Sequence, residues 1–427
     1  MPKYFNIHIM QIQRDFYLQQ LIDGKQNGLI KIITGIRRCG KSYLLFTLFY
    51  QYLKNSGVTE DHIIKIALDD IESADLRDPL SLYKYVKAKM VDEDLYYILL
   101  DEVQLVARFE EVLNSLLRMD NADVYVTGSN SKFLSSDIIT EFRGRGDEIH
   151  LYPLSLSEYC DGTGLKPYEA WKDYYTYGGL PHVLTLETEK KKLDYLSNLF
   201  ESVYLLDILE RHRVKNKSEF EDLVRIVASS IGAPTNTAKL SNTFKSVKKV
   251  AISYNTIDKY LGYMQDAFII EKATRFDIKG KKYIGSLAKY YFTDMGLRNA
   301  VLGLRQQEES HIMENVIYNE LRRRGCKVDV GIMEQRYVSK DGKWQRKQLE
   351  VDFVVNEGSQ KYYIQSALAM PDEEKRKQEM ASLLRIGDSF KKIIIVKDDI
   401  KPWTDENGIL TIGLMDFLMG DTKDLNI

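Results

Sequence analysis

The feature that most constrains the fold is a glycine-containing loop between a strand pattern and a helix pattern. A β-rich run at 29–33 precedes the loop, and an apolar stretch at 43–50 that suits a buried helix follows it. The loop has the sequence Gly35-Ile36-Arg37-Arg38-Cys39-Gly40-Lys41-Ser42. Glycines let the backbone curl so that successive N–H groups point at phosphate oxygens, and the helix start adds its positive dipole end. In this context the pattern predicts a phosphate-binding loop in an α/β fold.

The same loop indicates a ligand, ATP with Mg²⁺. Lys41 is placed to reach the β- and γ-phosphates, and the Ser42 hydroxyl is a ligand for Mg²⁺. We expect the nucleotide to contact one contiguous set of residues: Gly35, Ile36, Arg37, Arg38, Cys39, Gly40, Lys41, Ser42 and Tyr43. Cys39 is interpreted as a small residue that the loop tolerates, and a redox-sensing thiolate is the alternative hypothesis.

An acidic pair follows the next strongly apolar run. Residues 96–100 predict a buried strand, and Asp101-Glu102 come directly after it. Asp101 is expected to hold the magnesium ion, and Glu102 to orient the water that attacks the γ-phosphate. The alternative is that the two residues cap the helix that follows.

A third predicted strand, at 123–127, ends in Gly128-Ser129-Asn130. A polar side chain on a strand beside the glycine-loop strand can contact the γ-phosphate and the attacking water, so Asn130 is our predicted sensor. It could instead be an ordinary turn residue. Farther on, Arg143 and Arg145 lie in a glycine-flanked segment. They are either surface residues or candidate arginine fingers, which neutralise charge in the transition state and would come from a neighbouring subunit.

Several of these segments together resemble a known family, the prokaryotic AAA-like ATPases of the archaeal-type ATPase group, which carry a carboxy-terminal domain of unknown function. The segments that carry the resemblance are 32–42, 100–104, 127–131, 142–145 and 153–159. The resemblance covers essentially the whole chain. It implies a P-loop NTPase core with a parallel sheet, in which the sensor strand lies between the glycine-loop strand and the strand that ends at Asp101. It implies no particular substrate.

Beyond the core, predicted as residues 1–155, the pattern favours two further segments. Residues 156–216 are rich in aromatic residues and helical patterns and predict a helical lid, in which Arg211 and Arg213 are secondary phosphate candidates or part of a solvated face. Residues 217–303 predict a winged helix domain, with three helices followed by strands at 269–276, 282–287 and 290–293. Between 239 and 289 there are eleven Lys and Arg residues against four Asp and Glu residues. This surplus suits either DNA or a protein partner.

The last segment, residues 304–427, resembles a restriction-endonuclease-like α/β domain. Glu314 on a helix, Asp352 on a strand and Gln365 on the next strand align with the metal-binding pattern of that fold. The last position of this metal-binding pattern does not match, because Ala367 stands where a lysine is expected. Lys361 is the nearest substitute. We therefore expect a degenerate domain that binds without cleaving.

Composition limits the class of protein. Lys+Arg 60 against Asp+Glu 62 excludes a uniformly basic coat, and the three cysteines are too scattered for a disulfide framework. With no apolar run of membrane-spanning length, we expect a cytoplasmic protein without a membrane partner. The combined prediction is a Mg²⁺-dependent ATPase whose cycle switches a DNA- or partner-binding carboxy-terminal half, as a homo-oligomer or with an unidentified protein partner. The alternatives are an ATP-gated scaffold that binds no nucleic acid, or an ATP-dependent nuclease.

Overall fold

The computed structural model describes residues 12–128, 144–305, 308–338 and 341–420. The chain divides into two compact units. The first comprises the described residues up to Leu154 with Asp161–Gly164 and Leu180–Thr185, and the second comprises Ser155–Cys160, Leu165–Gly179 and the described residues from Leu186 onward. The predicted division into four segments (1–155, 156–216, 217–303 and 304–427) stays a prediction.

The first unit contains a five-stranded sheet whose neighbouring strands are all parallel. Its order is β2-β3-β4-β1-β5. The strands are β1 (Ile30–Thr34), β2 (Ile63–Ala67), β3 (Tyr96–Asp101), β4 (Ala122–Thr127) and β5 (Gly146–His150). Every residue of β1 and β3 is buried, as expected for strands of a parallel sheet covered on both faces. The predicted P-loop NTPase sheet is confirmed, including the position of β4 between β1 and β3.

Helices surround this sheet, and the one after β1 is interrupted by a π-helical segment, Leu44–Phe49. The α-helices of the first unit are Asp15–Asp23, Lys41–Tyr43, Tyr50–Asn55, Pro79–Lys89 and Phe109–Leu116, and the short 3-10 helices are Glu60–His62, Ile71–Arg77, Val103–Leu105 and Pro181–Thr185. Because β1, β3 and β4 are adjacent and parallel, their carboxyl ends meet at one edge of the sheet. The glycine loop, the acidic pair and Thr127 lie at that edge.

The predicted lid segment is helical, with helices Leu156–Thr163, Pro167–Tyr177, Glu189–Leu199 and Leu206–Arg211 and a π-helical turn at Phe200–Leu205. In the second unit, Gly178 follows helix Pro167–Tyr177, and the Gly179 amide donates to Asp294 Oδ2 at 2.8 Å. Asp294 also caps helix Met295–Val301 through the Leu297 amide at 2.9 Å. A Cβ on Gly178 would overlap the Asp294 carboxylate, so this turn requires glycine.

Most of the remaining helices of the second unit were predicted, whereas Met295–Val301 and Leu414–Met419 were not. Three of them (Lys217–Ser229, Thr237–Thr243 and Tyr254–Asp266) precede the strands, with a π-helical segment at Phe244–Lys248, and the later ones are Met295–Val301, Glu309–Arg323, Glu373–Leu383 and Leu414–Met419. In the part of the chain that the structure describes, we find no helix with both the length and the apolar content needed to cross a bilayer.

An eight-stranded sheet of order β12-β13-β11-β10-β9-β8-β6-β7 forms the core of the second unit. The strands are β6 (Ile270–Asp277), β7 (Lys282–Phe292), β8 (Lys327–Val338), β9 (Trp344–Glu357), β10 (Gln360–Ala367), β11 (Lys391–Val396), β12 (Trp403–Thr404) and β13 (Ile409–Gly413). The runs predicted at 282–287 and 290–293 are one strand, β7. The β6–β7 hairpin joins the carboxy-terminal strands because Arg275–Asp277 pair in parallel with Val330–Ile332. One sheet therefore crosses the predicted boundary at 303/304.

Candidate nucleotide-binding site

The backbone of the glycine loop takes up conformations that favour glycine at both ends. Gly35 has φ +133°, and a Cβ there would overlap the Leu151 carbonyl oxygen. Gly40 has φ +102° and directly precedes the helix that begins at Lys41. Because the first amides of a helix have no acceptor within the helix, those of Lys41, Ser42 and Tyr43 are available for phosphate oxygens. The loop therefore has the backbone shape that binding of a phosphate requires.

The Lys41 ammonium lies against the inside of this loop. It donates hydrogen bonds to the carbonyl oxygens of Gly35 at 3.0 Å and Ile36 at 3.1 Å. Arg14, which is buried, supports the loop from the preceding helix by donating to the carbonyls of Cys39 at 3.2 Å and Tyr152 at 2.7 Å. A positive charge is thus held at the loop by contacts that phosphate oxygens could replace.

Cys39 is buried inside the loop, where its thiol lies 3.4 Å from the Leu151 carbonyl oxygen. Burial raises the pKa of Cys39, although the nearby cations of Lys41 and Arg14 act in the opposite direction. The thiol form is therefore favoured, which agrees with a small tolerated residue and disagrees with the alternative of a reactive thiolate.

Asp101 ends β3 as a buried carboxylate with two hydroxyl partners. The Thr127 hydroxyl at the end of β4 donates to Asp101 Oδ1, and Ser42 also forms a side-chain hydrogen bond with Asp101. Burial raises the pKa of Asp101, while the bonds from Thr127 and Ser42 lower it. Carboxylate and hydroxyl oxygens are the ligands that Mg²⁺ prefers. The donor set of Ser42 and Asp101 therefore fits the ion expected from the sequence.

Glu102 has a left-handed backbone, with φ 53° and ψ 44°, which is uncommon for a residue with a side chain. Its amide donates to the Thr127 hydroxyl at 3.0 Å, and its carboxylate accepts from the Gln104 amide group. Within the described part of the chain, Glu102 does not cap the short helix Val103–Leu105 through its side chain. Such local strain is concentrated at functional sites. The Glu102 side chain is therefore not used as a helix cap here, and its catalytic role stays a prediction.

Three further residues were predicted to belong to this site: Asn130, Arg143 and Arg145. Asn130 and Arg143 lie outside the described residues. The Arg145 guanidinium donates to Asn114 Oδ1 at 2.9 Å, and the Arg145 carbonyl accepts from the Ile30 amide at 2.8 Å. Arg145 therefore lies at the beginning of β5, at the opposite edge of the sheet, about 16 Å of strand away from the loop. Its two predicted roles, a surface residue or an arginine finger for a neighbouring subunit, stay predictions.

Three residues at the site were missed by the sequence interpretation: Arg14, Gln104 and Thr127. Thr127 carried a usable signal, because it is a polar residue at the end of a strand predicted beside the glycine-loop strand. Gln104 lies in segment 100–104, which carries the family resemblance, but its partner is set by the turn after β3. Arg14 carried no signal, because its partners are set by packing of the first helix. The site therefore includes four residues linked by hydrogen bonds: Asp101, Thr127, Glu102 and Gln104. Two of them, Asp101 and Glu102, were predicted from the sequence pattern.

Together, the inserted-strand parallel sheet and this loop define an AAA-type P-loop ATPase fold. A family model described as an AAA domain matches residues 27–160, and a second, Domain of unknown function (DUF8612), matches residues 168–308. The chain is 33% identical to an uncharacterized protein of Haemophilus influenzae over 414 residues, which are 96% of this chain and 98% of that protein. It belongs to the same family as that protein.

Two further proteins are similar to this chain. An uncharacterized protein of Methanocaldococcus jannaschii is 28% identical over 386 residues, covering 86% of this chain and 80% of that protein. Among solved structures, a Walker-type ATPase of Pyrococcus abyssi superposes with a TM-score of 0.50 at 15% identity, over 68% of this chain and 96% of that chain. At this identity the structural likeness shows the fold alone.

Proposed function

We propose that this protein binds ATP with Mg²⁺ at the loop 35–43, hydrolyses it, and uses the cycle to switch the binding properties of its carboxy-terminal half. The observation that carries the proposal is the convergence at one sheet edge of a loop ammonium, Lys41, with the hydrogen-bonded set Ser42, Asp101, Thr127 and Glu102. This is the combination of phosphate grip, metal ligands and water-orienting base that hydrolysis of a nucleoside triphosphate needs.

Each side chain has a distinct task. Lys41 exchanges the Gly35 and Ile36 carbonyls for phosphate oxygens, and the first helix amides hold the same phosphates. Ser42 and Asp101 hold Mg²⁺, which when bound neutralises charge on the phosphate oxygens. Glu102, oriented by Gln104 and by the Thr127 contact to its amide, positions the attacking water.

Two predicted participants complete this scheme as proposals. Asn130 is our candidate for sensing the γ-phosphate. Arg143 or Arg145 is the candidate for a cation supplied by a neighbouring subunit, which would make hydrolysis depend on self-assembly. The position of Arg145 at the far edge of its own sheet supports delivery to a second copy.

Two substitutions with matched controls test the proposal. Lys41→Ala is expected to abolish ATP binding, and Glu102→Gln is expected to bind ATP but not to hydrolyse it. The controls are Lys54→Ala, in an exposed ion pair with Glu60, and Glu111→Gln, in an exposed ion pair with Arg108. Isothermal calorimetry and phosphate release are the measurements. Turnover by Glu102→Gln at the wild-type rate would remove the catalytic assignment.

The switched half is proposed to bind DNA, with a protein partner as the alternative. Of the eleven basic residues between 239 and 289, Arg275 and Lys289 are buried and do not belong to the surface. The nine exposed ones are Lys239, Lys245, Lys248, Lys249, Lys259, Lys272, Lys279, Lys281 and Lys282. Together with the exposed Tyr283, they offer phosphate-backbone and stacking contacts.

A salt titration of binding to a duplex oligonucleotide distinguishes these possibilities. Replacing Lys281 and Lys282 by Ala is expected to weaken binding and to reduce the slope of log affinity against log salt by about 2. Unchanged affinity and slope would contradict the DNA proposal and favour the scaffold. Assembly that depends on ATP, in the absence of affinity for nucleic acid, would identify the scaffold directly.

A further inference from the structure

Four charged side chains from three elements of the second unit meet in a cluster of which three members, Lys289, Glu314 and Asp352, are buried. Lys289 lies on β7, Glu314 on helix Glu309–Arg323, and Glu350 and Asp352 on β9. The Lys289 ammonium is 2.7 Å from Glu314 Oε1, 2.8 Å from Glu350 Oε1 and 3.7 Å from Asp352 Oδ1. The Lys289 side chain is 3% exposed, those of Glu314 and Asp352 are 11% and 10% exposed, and that of Glu350, at the outer side of the cluster, is 30% exposed. One ammonium therefore lies among three carboxylates.

Neighbouring hydrogen bonds fix the carboxylates in these positions. The Tyr291 hydroxyl donates to the same Glu314 oxygen at 2.6 Å, and the Ser366 amide donates to Asp352 Oδ2 at 2.8 Å. The Asn315 side chain, next to Glu314, makes two hydrogen bonds with the Phe292 backbone at 2.8 Å and 2.7 Å. Helix Glu309–Arg323 and β7 are thus hydrogen-bonded to each other immediately beside the cluster. Lys289 and Glu314 therefore lie on elements whose relative position is fixed.

The cluster contains two of the residues that the sequence placed in a degenerate nuclease-like pattern, Glu314 and Asp352. Lys361, considered there as a substitute for the missing lysine, does not reach it: its ammonium lies 5.5 Å from the Phe276 ring centroid and 5.4 Å from that of Phe390. The positive charge comes instead from Lys289, which the sequence pattern had grouped with the basic surface.

We infer that Lys289 is the built-in cation of this site, with its ammonium occupying the position that Glu314, Glu350 and Asp352 would otherwise offer to a divalent metal ion. Carboxylates from three elements are typical Mg²⁺ or Mn²⁺ ligands, and buried carboxylates need a positive partner. An ammonium at 2.7–2.8 Å from two of them fills the space between them. A divalent ion could enter only by displacing it, because the two positive charges repel each other at this distance.

This inference concerns the second unit alone and is independent of the proposed ATP cycle. Lys289 takes the place of a metal ion in this site and links β7, helix Glu309–Arg323 and β9. Metal-assisted phosphodiester cleavage needs an accessible cation position that can also accept substrate. With Lys289 in this position the site offers no metal position for cleavage, as expected for the degenerate domain predicted from the sequence.

Manganese binding to the nucleotide-free full chain, followed by electron paramagnetic resonance, tests the inference. Wild type is expected to have no saturable Mn²⁺ site at this cluster. Asp352→Asn should therefore leave the Mn²⁺ binding of the protein unchanged. Lys289→Met keeps an unbranched side chain but removes the ammonium and its charge, and is expected to gain one Mn²⁺ site with a Kd of order 10⁻³ M or tighter. The double variant with Asp352→Asn is expected to lose that site. Lys377→Met, at an exposed lysine paired with Glu373 in the same unit, is the matched control and should gain no Mn²⁺ site.

Each outcome is decisive. A Lys289→Met protein that folds only with Mn²⁺, or whose Tm rises with Mn²⁺ while that of wild type does not, supports the inference. Lys289→Met that stays unfolded at every Mn²⁺ concentration, or that folds and gains no Mn²⁺ site, overturns it. Wild-type Mn²⁺ binding that disappears in Asp352→Asn also overturns it, because the ion would then fit beside Lys289, as an active nuclease would require.

Discussion

The Thr127 hydroxyl offers a direct test of how the site is assembled. It is fully buried, donates to Asp101 and accepts from the Glu102 amide at 3.0 Å. Thr127→Val keeps the shape but removes both bonds. Loss of a hydrogen bond to a charged group costs about 1.5–3 kcal/mol. If that amount is taken from Mg²⁺ binding, the Mg²⁺ concentration for half-maximal hydrolysis rises about 10- to 100-fold.

The assay is phosphate release at saturating ATP with Mg²⁺ varied, beside a urea denaturation curve for each variant. Thr127→Ser keeps the hydroxyl and is expected to restore most of the Mg²⁺ dependence, while Thr127→Val is expected to remain folded but less stable. A Thr127→Val protein with the wild-type rate and the wild-type Mg²⁺ dependence would refute the idea that this residue positions Asp101 and Glu102.

Two further predictions concern positions outside that contact. Gly35→Ala is expected to lose ATP binding in calorimetry and about 1–3 kcal/mol of unfolding free energy, because its Cβ would overlap the Leu151 carbonyl oxygen; undiminished affinity would contradict this. Burial raises the pKa of Asp294 from 3.8 to about 6 despite its backbone hydrogen bonds, so the folded state holds the proton more tightly than the unfolded state. The free energy of unfolding of wild type relative to Asp294→Asn should therefore fall as pH rises from about 4 to 7, by up to about 3 kcal/mol in urea denaturation. A difference between the two proteins that does not change with pH would contradict this prediction.

The core of the first unit was predictable because its signals are local. A loop with Gly35 and Gly40 needs glycine for its backbone angles, and β1 and β3 are continuous apolar runs because both faces of a parallel sheet are covered. The positions of Asp101 and Lys41 follow from the ends of these elements. The contacts of Glu102 did not follow, since they depend on which strand is adjacent and on the left-handed backbone at that residue.

In the second unit, the sequence pattern predicted helices and strands but not how the strands pair. Most of its helices and strands were recognisable. The parallel pairing of β6 with β8, which puts strands from both sides of position 303/304 into one sheet, joins residues far apart in the chain. The same arrangement decides the role of Lys289. On a strand with an unknown neighbour a lysine is expected at the surface, whereas here it is buried among carboxylates.

The sequence by itself determined the phosphate-binding loop, the acidic pair and the parallel core, because each depends on a few neighbouring residues whose backbone geometry and polarity leave little choice. The tertiary structure alone decided three things: the bridging role of Thr127, the placement of Arg145 at the far edge of its own sheet, and the cation among Glu314, Glu350 and Asp352. These depend on distances between elements, which long-range strand pairing sets and which no local pattern encodes.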